Sequence, residues 1–187
     1  MKHTLVALVE DKPGVLNRVA SLFRRRAFNI ESLTVGRTHE SAISRMTIQV
    51  DTEYTPATLV EANLSKLINV LDVKDVTHTP TVMRDLALIK VSADASARAE
   101  IAQLAEIFRA KIVDVGTDSV IIEVTGDEEK VSGLVELLRP RGIMEMVRTG
   151  LVAMERGSGN GHDRVAEEMD SWIPASGNGR RVESTVQ

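Results

Sequence analysis

Apolar and polar positions follow two rhythms along this chain, a strand rhythm and a helix rhythm, and the same succession occurs twice. Thr4 to Val9 is an apolar run of strand length. After the turn Glu10-Asp11-Lys12-Pro13-Gly14, the residues Leu16, Val19, Ala20 and Phe23 recur at i, i+3, i+4 and i+7. That spacing predicts a helix over about Val15 to Arg26, with Asn17, Arg18, Ser21, Arg24 and Arg25 off the apolar stripe. The chain returns as a strand from Asn29 to Arg37, and Thr38 to Ala42 form a polar turn. From Ser44 to Val50 the pattern alternates, with Met46, Ile48 and Val50 on one face and Arg45, Thr47 and Gln49 on the other. Thr55-Pro56 opens a second helix carrying Leu59, Leu64, Leu67 and Ile68, and Val70 to Thr77 closes the unit. The order is βαββαβ, the ferredoxin-like unit.

Beyond His78-Thr79-Pro80-Thr81 the succession restarts. Strands are expected at Leu86 to Val91, Lys111 to Val115 and Val120 to Thr125. Helices are expected at Ala97 to Arg109 and Asp127 to Leu138, and Ile143 to Ala153 forms the closing strand. The two halves also align at a fixed offset, Leu16, Val19, Ala20 and Phe23 falling on Ile101, Leu104, Ala105 and Phe108, and Asn29-Ile30 on Asp114-Val115. This predicts a duplicated α+β fold of two ferredoxin-like units, 1–79 and 80–155. On that alignment Pro13-Gly14 meets Arg98-Ala99, so only the first unit has a glycine at its helix start.

From residue 156 the composition changes. Gly157 to Gly161 and Ser176 to Gly179 have linker character, and 156–187 is expected to be a disordered tail. Within it, Val165, Met169, Trp172 and Ile173 have loosely helical spacing, so a docking helix over Asp163 to Ile173 stands as the alternative to disorder.

Composition narrows the function. Of 187 residues, 43% are hydrophobic but only 3% aromatic, so the core is aliphatic and base-stacking platforms are not expected. The net charge of −4 gives no general attraction to nucleic acid or anionic membrane. There is no cysteine, which excludes disulfides, thiolate ligands and a cysteine nucleophile. The first apolar run is too short for a signal segment and no run approaches membrane-spanning length, so a soluble cytoplasmic protein is expected. His3, His39, His78 and His162 lack metal-ligand spacing, and neither a phosphate-binding loop nor a nucleophile elbow is present. No catalytic set emerges.

What remains is the turn before the first helix. A helix N-terminus offers unpaired N–H groups and the positive end of the macrodipole to a carboxylate. Gly14 leaves room for a ligand to approach the backbone, and Pro13 pre-sets φ at the helix start. Val15, Leu16 and Ile30 supply apolar wall, with Asp11 and Asn29 in reach if the turn and the return strand are neighbours. Such a site suits a small aliphatic amino acid. On spacing alone, a turn with no ligand is the stronger reading, because Asp-Lys-Pro-Gly is good turn chemistry in itself. Arg24-Arg25-Arg26 likewise allows an anion patch, but cations in a last turn also complement the helix dipole.

The stretch from Glu10 to Gly36, with Ser44-Arg45-Met46-Thr47-Ile48 after it, resembles the ACT domain, a family of amino-acid-sensing βαββαβ modules. More closely, together with LINVLDVKDV, RDLALIKV and IFRAKIVDVG, it resembles the regulatory (small) subunits of acetolactate synthase over about Lys2 to Glu155. The resemblance implies a chain without catalysis of its own and without a cofactor of its own. It implies a large catalytic subunit as partner, carrying thiamine diphosphate, magnesium and FAD. It further implies a homodimer through the ACT domain, and feedback inhibition by valine or a related branched-chain amino acid at the dimer interface. Carried over, Gly14, Val15 and Leu16 give backbone donors and apolar wall, and Asn29 and Ile30 a polar anchor and a further wall. Asp11 stands where the family often has Asn; an aspartate there can pair with an ammonium but repels a carboxylate. Ala27 replaces the glycine usual before the aromatic-Asn-Ile step. The alternative is a stand-alone amino-acid sensor acting on another partner, and a third reading is a ferredoxin-like enzyme with a catalytic pair that the sequence does not reveal.

Overall fold

The computed structural model describes residues 1–51, 53 and 56–157. Thr55 and the whole Asp163 to Ile173 segment lie outside them. Strand β1 (Lys2–Glu10) is central because it is apolar on both faces: Leu5, Ala7 and Val9 on one, Val6 and Leu8 on the other, all buried. It pairs antiparallel with β3 (Ile43–Asp51) and β4 (Val70–Asp75); β2 (Asn29–Arg37) completes the order β2-β3-β1-β4. Helices α1 (Val15–Arg26) and α2 (Ala57–Leu64) close the core over Ala7, Met46, Ile48 and Val50 with Val19, Phe23, Val60 and Leu64.

The second half repeats the plan with β5 (Thr81–Ser92), α3 (Ala97–Ile107), β6 (Lys111–Val115), β7 (Ser119–Gly126), α4 (Glu128–Leu138) and β8 (Ile143–Arg148) in the order β6-β7-β5-β8. The duplicated α+β architecture therefore holds. The single closing strand expected over Ile143 to Ala153 does not. The chain turns at Thr149-Gly150-Leu151, where Gly150 has φ +88°, and continues as β9 (Val152–Glu155). The cause is β5, which is longer than the expected Leu86 to Val91: Asp85 to Ser92 pair with β7, while Thr81 to Arg84 pair with β9. This second ribbon covers the outer face of the first sheet. Val6, Val76 and Ala153 are buried together against Met83, Arg45 donates to the Ala153 carbonyl at 2.8 Å, and Lys74 pairs with Glu155 at 2.6 Å. The unbroken apolar run in β1 reflects that second cover.

Three local expectations are corrected. Helix α1 buries Val15, Val19, Leu22 and Phe23, whereas Leu16 is 46% exposed and Ala20 is exposed. Both stripes have helical period and share Val19 and Phe23; the sheet selects the one that turns Val15 inward. Helix α2 ends at Leu64, so Leu67 and Ile68 belong to the turn that leads into β4, and Ile68 is almost fully exposed. The repeat is real, but its offset is 82 residues, from Leu8/Val9 to Lys90/Val91 and from Ile30/Ser32 to Ile112/Asp114, the paired positions at which strand register slips in each sheet. On this register Val19 meets Ile101 and Phe23 meets Ala105, all buried. The counterpart of Pro13-Gly14 is then Ala95-Ser96, and that of Asn29-Ile30 is Lys111-Ile112.

The same 82-residue step relates Ala27 (φ 53°) to Arg109 (φ 49°), two non-glycine residues in left-handed conformation after α1 and α3. Ala27 retains the helix-ending geometry: its N–H reaches the Arg24 carbonyl at 3.3 Å, and Phe28 N–H reaches the Phe23 carbonyl at 3.0 Å. The missing glycine thus leaves strain rather than a reshaped turn. A left-handed Cβ costs roughly 1–2 kcal/mol, partly offset by the extra chain entropy that glycine brings to the unfolded state, about 0.4–1 kcal/mol. Ala27→Gly is expected to raise stability by about 0.5–1 kcal/mol, read as a higher denaturation midpoint at unchanged slope.

Candidate functional site

The turn after β1 is held from three sides. Asp11 N–H donates to the Ala42 carbonyl at 2.7 Å, and Glu10 N–H donates to the Asn69 carbonyl at 2.9 Å. The Glu10 carboxylate accepts from Lys12 Nζ at 2.9 Å and from the Asn69 side-chain amide, while Arg18 donates to the side-chain Oδ1 of Asn69 at 2.8 Å. The Lys12 hydrogen bond, followed by that of Asn69, holds the Glu10 carboxyl below its ordinary range, so that carboxylate stays ionised near neutrality. It fixes the entrance to α1 without filling it. Gly14 has φ +85°, and a Cβ built on it would meet nothing within 4 Å.

The three helix starts that follow a strand and a short turn differ in one respect. At α3, Asp94 Oδ1 accepts from Ser96 N–H at 2.9 Å and Ala97 N–H at 2.8 Å; at α4, Asp127 Oδ1 accepts from Lys130 N–H at 2.9 Å. Hydrogen bonds from Ser96 and Ala97 hold the Asp94 carboxyl below its ordinary range. Helix α1 has no side-chain cap from Gly14 and no acid in its first turn. Of its first N–H groups, that of Val15 donates to the Lys12 carbonyl at 3.4 Å, and the space beside Gly14 is open. Beside them, Val15 is buried in the core and Leu16 is exposed, so only Leu16 offers free apolar wall. Asp11 is drawn aside: its Oδ2 forms an ion pair with Arg37 Nε at 3.0 Å, at the far end of β2.

Asn29 and Ile30 are not there. Asn29 pairs with Asp51, which pairs with Lys2, whereas Glu10 pairs with Ile43 and Arg37 with Ser44. The two groups lie at opposite ends of the sheet, eight register steps apart along β1, roughly 27 Å at about 3.4 Å per residue. Within one chain, Asp11, Gly14, Val15 and Leu16 are together, while Asn29 and Ile30 are remote. At its own end Asn29 donates to Glu31 at 3.1 Å, and Ile30 packs half-buried against the core.

Sequence reasoning also missed Arg37, whose partnership with Asp11 exists only because β2 and β1 flank β3 and end together. It missed a cleft of about 350 Å³ between Lys2, Ser32 and Gln49 of the first sheet and Asp85, Arg148 and Gly150 of the second half. There the buried Asp85 carboxylate accepts from Arg148 Nε, and Leu151 N–H donates to Ser32 Oγ at 3.1 Å. None of the six sequence-derived residues lines it. Among the described residues, no group of three His, Cys, Asp or Glu could hold a metal ion, and no helix is long and apolar enough to cross a membrane.

With this geometry in hand, the chain was compared with known proteins. Residues 5–72 match the family described as the AHAS small subunit-like ACT domain, and residues 84–157 the family described as the small subunit of acetolactate synthase. A protein of Archaeoglobus fulgidus called probable acetolactate synthase small subunit is 56% identical over 158 residues, covering 84% of this chain and 99% of its own. The acetolactate synthase small subunit of Mycolicibacterium smegmatis is 51% identical over 155 residues, covering 83% and 91%. The crystal structure of the acetolactate synthase small subunit from Thermotoga maritima superposes with a TM-score of 0.79 at 42% identity, covering 84% of this chain and 98% of that one. The turn before α1 and most of both sheets fall within the matched residues, and the chain belongs to the acetolactate synthase small subunit family.

Proposed function

We propose that this chain is the non-catalytic regulatory subunit of a cytoplasmic acetolactate synthase in branched-chain amino acid biosynthesis. It raises the activity of a separate catalytic subunit and confers feedback inhibition by valine or a related branched-chain amino acid. The thiamine diphosphate, magnesium and FAD used in pyruvate condensation are assigned to that catalytic subunit. Residues 1–79 are the effector-binding part and 80–155 a related C-terminal part.

The observation that carries this reading is the glycine-led start of α1 with no side-chain cap, set at the end of a sheet whose edge strand β2 pairs with no strand on its outer side among the described residues. A free strand edge is a template for a second chain. Antiparallel pairing of two β2 edges about Leu33, the midpoint of Asn29–Arg37, would set Asn29 of one copy opposite Arg37 of the other. The polar anchor that is remote within one chain thus comes beside the partner's Gly14 turn. The effector carboxylate then meets the α1 N–H groups and its side chain meets Leu16 and Ile30, with the ammonium between Asn29 and Asp11. Because such a ligand bridges two chains, it favours one dimer arrangement by its differential affinity, typically ~1–3 kcal/mol of coupling. Neighbouring aliphatic effectors are separated by only about 1–3 kcal/mol per methylene.

The test is acetolactate formation from pyruvate by the cognate catalytic subunit, with and without this chain, while valine is titrated. Stimulation that valine then removes is the expected result. No stimulation would favour the stand-alone sensor.

A further inference from the structure

The geometry points to a second binding site, in the cleft between the first sheet and the second half. It takes a small polar zwitterion, with the ligand carboxylate on the Arg148 guanidinium and the ligand ammonium on the Glu128 carboxylate. Nothing in this assignment depends on the effector turn before α1. The cleft encloses about 350 Å³, the small end for a site that holds a small molecule. Leu33, Gly150 and Leu151 are its only lining residues without a polar side chain, so an aliphatic ligand finds little wall there.

Arg148 is prepared as a receptor. Its Nε donates to Asp85, whose carboxylate is 4% exposed and also accepts from Thr149 Oγ1 at 3.4 Å. That buried anchor orients the guanidinium and leaves its outer edge unused: among the described residues, the two Nη groups have no acceptor. A planar fork with free donors matches a carboxylate bidentately. Two further donors line the same cleft. The Gln49 side-chain amide has no partner among the described residues, and Ser32 Oγ, which accepts from Leu151 N–H at 3.1 Å, keeps its own proton for another acceptor.

Charge decides against a simple anion. The cleft is lined by two cations, Lys2 and Arg148, and by three carboxylates, Glu31, Asp85 and Glu128. The excess negative charge repels a phosphate or a dicarboxylate. Arg148 is balanced by Asp85, whereas Lys2 lies 3.7 Å from Glu31 and 3.6 Å from Glu128, beyond a hydrogen bond to either. Glu31 also accepts from Asn29 at 3.1 Å, but Glu128 accepts no hydrogen bond among the described residues. A ligand that carries both charges satisfies the Arg148 fork and the spare Glu128 carboxylate together.

The experiment is calorimetric titration of the full chain with L-serine, L-glutamine and β-alanine, and with pyruvate and inorganic phosphate as anions that lack an ammonium. At least one zwitterion is expected to bind once per chain with a dissociation constant below about 10 mM, at least about tenfold tighter than either anion, and equally well in saturating valine. Glu128→Gln should weaken the zwitterion about threefold, the range of a half-exposed ion pair, without weakening pyruvate. Arg148→Lys should weaken it about tenfold or more, because the charge opposite Asp85 stays and the fork is lost. Gln49→Met should weaken it about threefold and leaves the buried pair intact, so the site is tested even if the Arg148 variant fails to fold. Absence of binding by all three zwitterions, or equal binding by pyruvate or phosphate, overturns the proposal. Displacement by valine does the same, since it assigns the ligand to the effector turn. Full-strength binding in Glu128→Gln or Gln49→Met also overturns it.

Discussion

Replacing Gly14 with aspartate is expected to abolish valine inhibition, raising the half-inhibitory concentration by more than about tenfold, the equivalent of 1.4 kcal/mol. Two effects act together. Gly14 has φ +85°, so any Cβ there is strained by roughly 1–2 kcal/mol. The new carboxylate also stands at the uncapped start of α1, where it occupies the donors and repels the effector. Steric overlap within the chain does not contribute, because a Cβ at this position meets nothing within 4 Å. The variant should therefore fold, with a thermal midpoint lowered by only a few degrees. Gly14→Ala isolates the backbone strain and should have the smaller effect on inhibition. Unchanged inhibition in Gly14→Asp would falsify the assignment of the turn.

The second large effect concerns two chains rather than one. Gly14 and Asn29 lie at opposite ends of the same sheet, so a site that uses both draws one from each copy. A chain carrying Gly14→Asp and another carrying Asn29→Leu should each form an insensitive homodimer. In the mixed dimer, one site combines both changes, while the other combines the intact turn of one chain with the intact strand of its neighbour. Co-expression is therefore expected to restore valine binding to about half the sites of the heterodimer, read by calorimetry on a doubly tagged preparation. The two-edge pairing of β2 predicts this recovery directly. Binding that stays absent in the heterodimer would mean that each effector site is built within one chain.

Much of the fold was legible because helix and strand periods are local properties. The alternation placed Met46, Ile48 and Val50 on one face of a strand, and those residues are fully buried; that the opposite face is covered as well, with Thr47 buried, left no mark in the pattern. The Asp-Lys-Pro-Gly turn predicted a glycine-led helix start, and Gly14 has the left-handed conformation that favours glycine. The choice between the stripes Leu16-Val19-Ala20-Phe23 and Val15-Val19-Leu22-Phe23 was not local. Both repeat with helical period, and only the sheet beneath decides which one is covered.

The sequence by itself determined the succession of elements, the duplication, and which unit has a glycine at its first helix start. Each is encoded by neighbours within a few residues, through backbone conformation and side-chain period. Only the tertiary structure decided the 82-residue register of the repeat, the division of the last strand at Gly150, the pairing of Asp11 with Arg37, and the separation of Asn29 from Gly14. These depend on which strands become neighbours and where their hydrogen-bond ladders slip. Such pairings join residues far apart in the chain and leave no periodic mark along it.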